Sequence, residues 1–134
     1  MSDWSWIDRE FALAAHSLQI AAHGGGQGVR DVGLLESALA RPVNLSAYGQ
    51  PDVAGLAASY AFGLARNHPF VDGNKRTALV VCETFVEDNG SVVNATNAEL
   101  AVLIEELAAG HVSEDELAAW LRERISASSA TSRR

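Results

Sequence analysis

A single cysteine, Cys82, rules out any disulfide within the chain. Only three prolines interrupt the 134 residues, and no run of about 18 apolar residues is present that could span a bilayer. The opening segment, Met1-Ser-Asp-Trp-Ser-Trp6, has neither the basic nor the apolar region of a secretory signal. These absences together predict a cytoplasmic protein with no membrane association. Basic charge is scarce too: 10 Lys and Arg face 17 Asp and Glu, a net charge of −7. That balance excludes a general polyanion-coating role, and no direct nucleic-acid binding is expected. Lysine is nearly missing, Lys75 being its one occurrence.

What is present belongs to a folded protein. Hydrophobic residues make up 48% of the chain, and a chain of this length buries roughly two-thirds of its unfolded surface as one domain. Alanine is abundant and apolar residues recur at spacings of three and four, which predicts an all-α fold. We expect a compact single domain of about six helices over residues 1–125 and a polar, disordered tail over 126–134. A first helix is expected from Ile7 to His23, with Phe11, Ala14, Ala15 and Leu18 on its inner face, ending at the Gly24-Gly25-Gly26-Gln27-Gly28 run. Asp31 caps a second helix, expected to stop at Arg41-Pro42 because the residue before proline disfavours the α region. Asp52 caps a third, with Val53, Leu56, Tyr60 and Leu64 as its buried stripe up to Asn67. From Asn74 to Val86 the sequence is apolar almost all round, which predicts a central helix ending at Asn89-Gly90. A short extended piece at Ser91–Val93 follows, then a helix from Asn97, then one opened by the Ser113/Glu116 capping-box pattern.

Between the third and fourth helices lies Asn67-His-Pro-Phe-Val-Asp-Gly-Asn-Lys-Arg-Thr77. It delivers a histidine and a carboxylate beside a helix start that carries two cations, Lys75 and Arg76. Cations at that end oppose the macrodipole, so an anion is the natural occupant: the amides of Gly73, Asn74 and Lys75 can donate while the two side chains clamp phosphate oxygens. His68 can exchange a proton with a hydroxyl near neutral pH. Asp72 can hold Mg²⁺ against phosphates. Phe70 is expected to anchor the loop in the core. Base, metal ligand and anion cradle are the parts of phosphoryl or nucleotidyl transfer.

The stretch His68-Pro-Phe-Val-Asp-Gly-Asn-Lys-Arg76 resembles the signature loop of the Fic/Doc superfamily. Lys75, standing where Fic adenylyltransferases have a second glycine, resembles the death-on-curing (Doc) branch. Gly24-Gly25-x-x-Gly28-x-Arg30-Asp31, Leu35-x-Ser37-Ala38, Pro42, Leu64-Ala-Arg-Asn67 and Asn89-Gly90 also look like this family. The resemblance implies a Fic-type helical fold, with the signature loop between two central helices, in a toxin of a toxin–antitoxin pair. It implies a protein kinase that uses ATP and Mg²⁺ to phosphorylate a translation factor such as elongation factor Tu. Carried over, His68 activates the target hydroxyl, Asp72 assists it and the metal, and Gly73, Asn74, Lys75 and Arg76 hold the nucleotide phosphates. Arg66 is a further phosphate-side candidate. Pro69 and Gly73 are shared with typical Fic loops, so protein adenylylation stands as an alternative activity, and a non-catalytic anion- or partner-binding module as another. The Fic autoinhibitory pattern, Ser or Thr, three residues, then Glu followed by Gly or Asn, does not occur. Inhibition is therefore expected from a Phd-like antitoxin whose disordered segment folds onto the toxin.

Other features read more plainly. Gly24–Gly28 is not a phosphate loop of the Walker type, since no Lys-Ser or Lys-Thr follows it, and it reads as a turn or as a shaper of the groove. His16 and His23 sit two helical turns apart without further ligands, and His16 is a candidate for the rim of the site. Trp4, Trp6 and Cys82 read as core residues, and Glu105-Glu106 as a solvated face.

Overall fold

A computed structural model describes residues 3–128, which form six α-helices and one small sheet. The helices are α1 (Arg9–His23), α2 (Val32–Tyr48), α3 (Val53–Asn67), α4 (Asn74–Asp88), α5 (Asn97–Ala109) and α6 (Glu114–Arg124). Strands β1 (Ser91–Val93) and β2 (Ile125–Ala127) pair antiparallel, with Val92 opposite Ser126. Among the described residues no helix is long and apolar enough to cross a membrane.

Local chemistry explains most helix starts. Asp8, Asp31, Asp52, Thr96 and Ser113 each accept a hydrogen bond from the backbone N–H three residues on, and Thr96/Glu99 and Ser113/Glu116 close full capping boxes. One helix differs: the N-cap of α4 is Gly73, whose missing side chain leaves the first turn uncapped.

The centre of the molecule is α3. Alanine, glycine and serine occupy many of its positions, and Ala54, Leu56–Ala61 and Gly63–Ala65 are all buried. Small residues let α2, α4, α5 and α6 all pack on this one helix. At Gly63 a Cβ would lie 3.0 Å from both Cα and Cβ of Ala38, so α2 and α3 meet backbone to backbone there. The all-round apolar pattern that predicts α4 as central is thus only partly realised, since Leu79, Val80, Glu83 and Thr84 keep some exposure.

Three sequence expectations are corrected. Helix α1 begins at Arg9, and it buries Ala12, Ala15, His16 and Ile20, whereas Phe11, Ala14 and Leu18 face outward, Leu18 with 68% exposure. Ile7 precedes the helix and is held by its amide donating to Tyr60 Oη at 2.9 Å. Helix α2 does not stop at Pro42; it runs through it to Tyr48. An internal proline costs about 3 kcal/mol, but tertiary contacts hold the helical path. Pro42 is buried, and Arg41 pairs with Glu114 of α6 at 2.7 Å while lying 4.5 Å over the Phe62 ring. Finally, Ser126 and Ala127, expected in a tail, pair in β2, and the Ser128 amide donates to Gly90 O at 2.9 Å; residues 129–134 lie outside the described part.

The core readings of Trp4 and Cys82 agree with the structure, whereas Trp6 is exposed and covers the core only with one ring face. Both indoles pack on Phe85, with ring centroids 6.0 and 5.8 Å away. Cys82 is fully buried, and desolvation pushes its thiol pKa up to about 12, which leaves no thiolate for chemistry at neutral pH.

Asp52 caps α3 and also pairs through both oxygens with Arg122 of α6. The hydrogen bond from Arg122 is the main cause holding its carboxyl below the ordinary value. A depressed folded pKa stabilises above the unfolded value, near 4, and that contribution disappears as pH falls through the folded one. Asp52→Ala should therefore lower stability by about 1 kcal/mol near neutral pH, chiefly through the cap because the pair is half exposed. The difference from wild type should narrow below pH ~4 in urea titrations.

Candidate active site

The loop at residues 68–73 joins the end of α3 to the start of α4 and is fastened from two directions. From the N-terminal side, the Gly24–Asp31 segment lies along it: Val29 bridges Phe70, the Val71 amide donates to Gly28 O, and the Arg30 and Asp31 amides both donate to Pro69 O. The Arg30 guanidinium adds hydrogen bonds from Nε to His68 O at 2.7 Å and from Nη2 to Asn67 O at 2.9 Å. From beneath, Phe70 is buried and stacks on the His16 ring at 3.9 Å.

His16 is 4% exposed, with Nε2 2.8 Å from Asp72 O. Since a carbonyl only accepts, that nitrogen carries the proton. His16 is therefore a prop under the loop. Among the described residues, no group of three or more potential His, Cys, Asp or Glu ligands gathers around it or His23.

The glycine run shapes the site. Asp72 Oδ2 accepts from the Gly26 amide at 2.7 Å, and a Cβ on Gly25 would sit 3.1 Å from Asp72 Cβ. A Cβ on Gly26 would lie 2.7 Å from Val71 Cγ1, closer than side chains tolerate. The run thus brings its backbone against Asp72 and directs that carboxylate.

Beside it opens a cavity of about 540 Å³ lined by His23, Gly24, Gly25, Asp72–Arg76, Leu79, Ala101, Ile104 and Glu105. Its polar floor is the uncapped first turn of α4, where free amides and the helix dipole present positive character. Lys75 Nζ is 2.7 Å from Glu105 Oε1 of α5, and Arg76 Nη2 donates to Gly24 O at 3.3 Å. The two cations therefore reach opposite walls of the cavity. Glu105 is exposed, as expected of a solvated face, and from the cavity rim it also supplies a counter-charge to Lys75.

Asp72, Gly73, Asn74, Lys75 and Arg76 are thus brought together as the sequence suggests, with one qualification. The Asn74 side chain is buried and spent on the loop, Oδ1 accepting from Phe70 N and Nδ2 donating to Phe70 O, so what Asn74 offers the cavity is its backbone amide in the uncapped first turn. His68 and Arg66 do not line the cavity. His68 is exposed at the end of α3 in the left-handed conformation, φ 52° and ψ 55°, the one non-glycine residue with positive φ among those described. Such a conformation costs a residue with a Cβ about 1–2 kcal/mol. The Arg66 guanidinium lies 5.2 Å over the Phe62 ring, on an exposed side chain.

Sequence reading placed Arg30 in the family-like stretch and His16 at the rim of the site, but it missed what either one holds, and it missed the pairing of Glu105 with Lys75. No local pattern shows these contacts, because each joins residues at least 30 apart in the chain.

A family model described as the Fic/DOC family matches residues 6–86. Toxin Doc of Mycolicibacterium smegmatis is 47% identical over 88 residues, covering 63% of this chain and 65% of that protein. Protein kinase doc of Escherichia phage P1 is 36% identical over 117 residues, covering 87% of this chain and 92% of that protein.

Proposed function

The chain belongs to the Fic/Doc family, and on that premise we propose that it is a Doc-type toxin, a protein kinase that transfers the γ-phosphate of ATP to a serine or threonine hydroxyl. The observation that carries this reading is the uncapped start of α4 opening into a cavity whose lining combines Lys75, Arg76 and Asp72. Polyphosphate is the anion such a floor suits, and a cavity of about 540 Å³ falls within the range of small-ligand sites.

In this reading the amides of Gly73, Asn74 and Lys75 hold phosphate oxygens, and Lys75 and Arg76 neutralise them from two sides. We give Arg66 no part in holding the nucleotide, since its side chain stacks on Phe62. Asp72 has one oxygen engaged by Gly26 and another left for a cation. One carboxylate with phosphate oxygens and water is a donor set that fits Mg²⁺. Bound there, the ion would neutralise phosphate charge. His68 takes the proton of the acceptor hydroxyl as its oxygen bonds to the γ-phosphorus. The bond to the β–γ bridging oxygen breaks, and ADP leaves.

The target class we favour is a translation factor such as elongation factor Tu, with arrest of translation in the cytoplasm as the outcome and a Phd-like antitoxin as the controlling partner. Pro69 and Gly73, shared with typical Fic loops, favour adenylyl transfer as the second reading. ATP labelled at either phosphorus separates the two. Incubation with purified candidate factors should move label from the γ position onto protein and none from the α position. Transfer of α label would establish nucleotidyl transfer instead. No transfer of either label to any factor would favour a binding module.

A further inference from the structure

We propose that Arg30 is a positioning residue for His68, an inference that rests on the reading of His68 as the general base. Three consecutive carbonyls, those of Asn67, His68 and Pro69, all accept hydrogen bonds from the Arg30–Asp31 dipeptide. The Arg30 side chain takes the first two, and the backbone amides of Arg30 and Asp31 take the third. These bonds bracket the one described non-glycine residue held at positive φ.

The direction of a Cα–Cβ bond follows from the backbone dihedrals, so whatever holds residue 68 left-handed also aims its imidazole. The flanking residues are tied independently. Asn67 Nδ2 donates to Leu34 O at 3.2 Å, and Phe70 bridges Val29. Among the described residues, only Arg30 supplies a side-chain hydrogen bond to the His68 carbonyl itself. A cation closing the last carbonyls of a helix ordinarily contributes stability alone. Here the closed carbonyl belongs to the residue that must meet the acceptor hydroxyl. Misplacing a reacting group by about 1 Å costs on the order of 100-fold in rate.

The test compares Arg30→Ala and Arg30→Lys in the full chain, each also combined with His68→Asn. Label transfer from γ-labelled ATP gives kcat, and calorimetry gives ATP affinity. Arg30→Ala should lower kcat by about 10- to 100-fold with ATP affinity within about twofold. Arg30→Lys, with a cation but no fork to span two carbonyls, should fall between it and wild type. In the His68→Asn background neither change should lower the residual rate further.

Arg30→Ala within about threefold of the wild-type kcat, while His68→Asn is inactive, overturns the positioning role and leaves the base intact. Equal losses with and without His68 show a general structural role and overturn it as well. Should Arg30→Ala fail to fold, Arg30→Lys decides: a soluble variant with wild-type kcat overturns the inference. A normal rate in His68→Asn alone refutes the reading of the base, a distinct failure.

Discussion

His68→Asn is expected to lower phosphoryl transfer by about 10²–10⁴-fold, the range of a lost general base. Asparagine is the informative replacement because it tolerates the left-handed conformation held at this position while having no proton-accepting imidazole. The hydrogen bonds from the Arg30 guanidinium to the Asn67 and His68 carbonyls do not involve the His68 side chain, so they survive the change. His68 is absent from the lining of the α4 cavity, so ATP affinity should stay near wild type and the loss should appear in kcat. Single-turnover transfer with saturating ATP measures it. A rate within a few-fold of wild type would remove His68 from the chemistry and turn attention to Asp72.

The second large effect concerns stability. Phe70→Ala should cost about 3–5 kcal/mol, the usual penalty for emptying a buried aromatic site, against a total of only about 5–15 for a domain. Phe70 is 1% exposed, stacks on His16, exchanges both backbone hydrogen bonds with the Asn74 side chain and bridges Val29. Its loss therefore loosens the loop from below, and Asp72, supported by His16, loosens with it. Thermal unfolding should show a drop in Tm of more than about 10 °C, with a weaker ATP site in the fraction that stays folded. Phe70→Leu, which keeps most of the volume, should lose far less. A Phe70→Ala protein that melts with wild type would mean that the glycine run, not the ring, holds the loop.

These two residues lie two positions apart in the chain, and the sequence showed both. The contiguous stretch from His68 to Arg76 was legible because a helix start, two cations, a carboxylate and a histidine in one short segment share a location whatever the rest of the fold does. Caps at Asp31, Asp52 and Ser113 were legible for the same reason, each bond closing within three residues. The inner face of α1 was not. Phe11 and Leu18 are as apolar as anything it buries, and His16 is inside only because a carbonyl of residue 72 meets its ring nitrogen. Nor was the end of α2, where the pre-proline preference is real but is outweighed by Glu114 and Phe62 gripping Arg41.

The sequence by itself determined the helical class, most helix starts and the chemical parts of the signature loop, since these follow from interactions spanning a few residues. Only the tertiary structure decided how those parts are held and balanced. Arg30 locks the carbonyl of His68, His16 props Asp72, and Asn74 turns out to be a strut whose side chain is committed to the Phe70 backbone. Lys75, the one lysine of an acidic chain, meets Glu105 across the cavity. Each is a contact between residues distant in the chain, formed only once α3 has gathered the other helices around its small-residue surface.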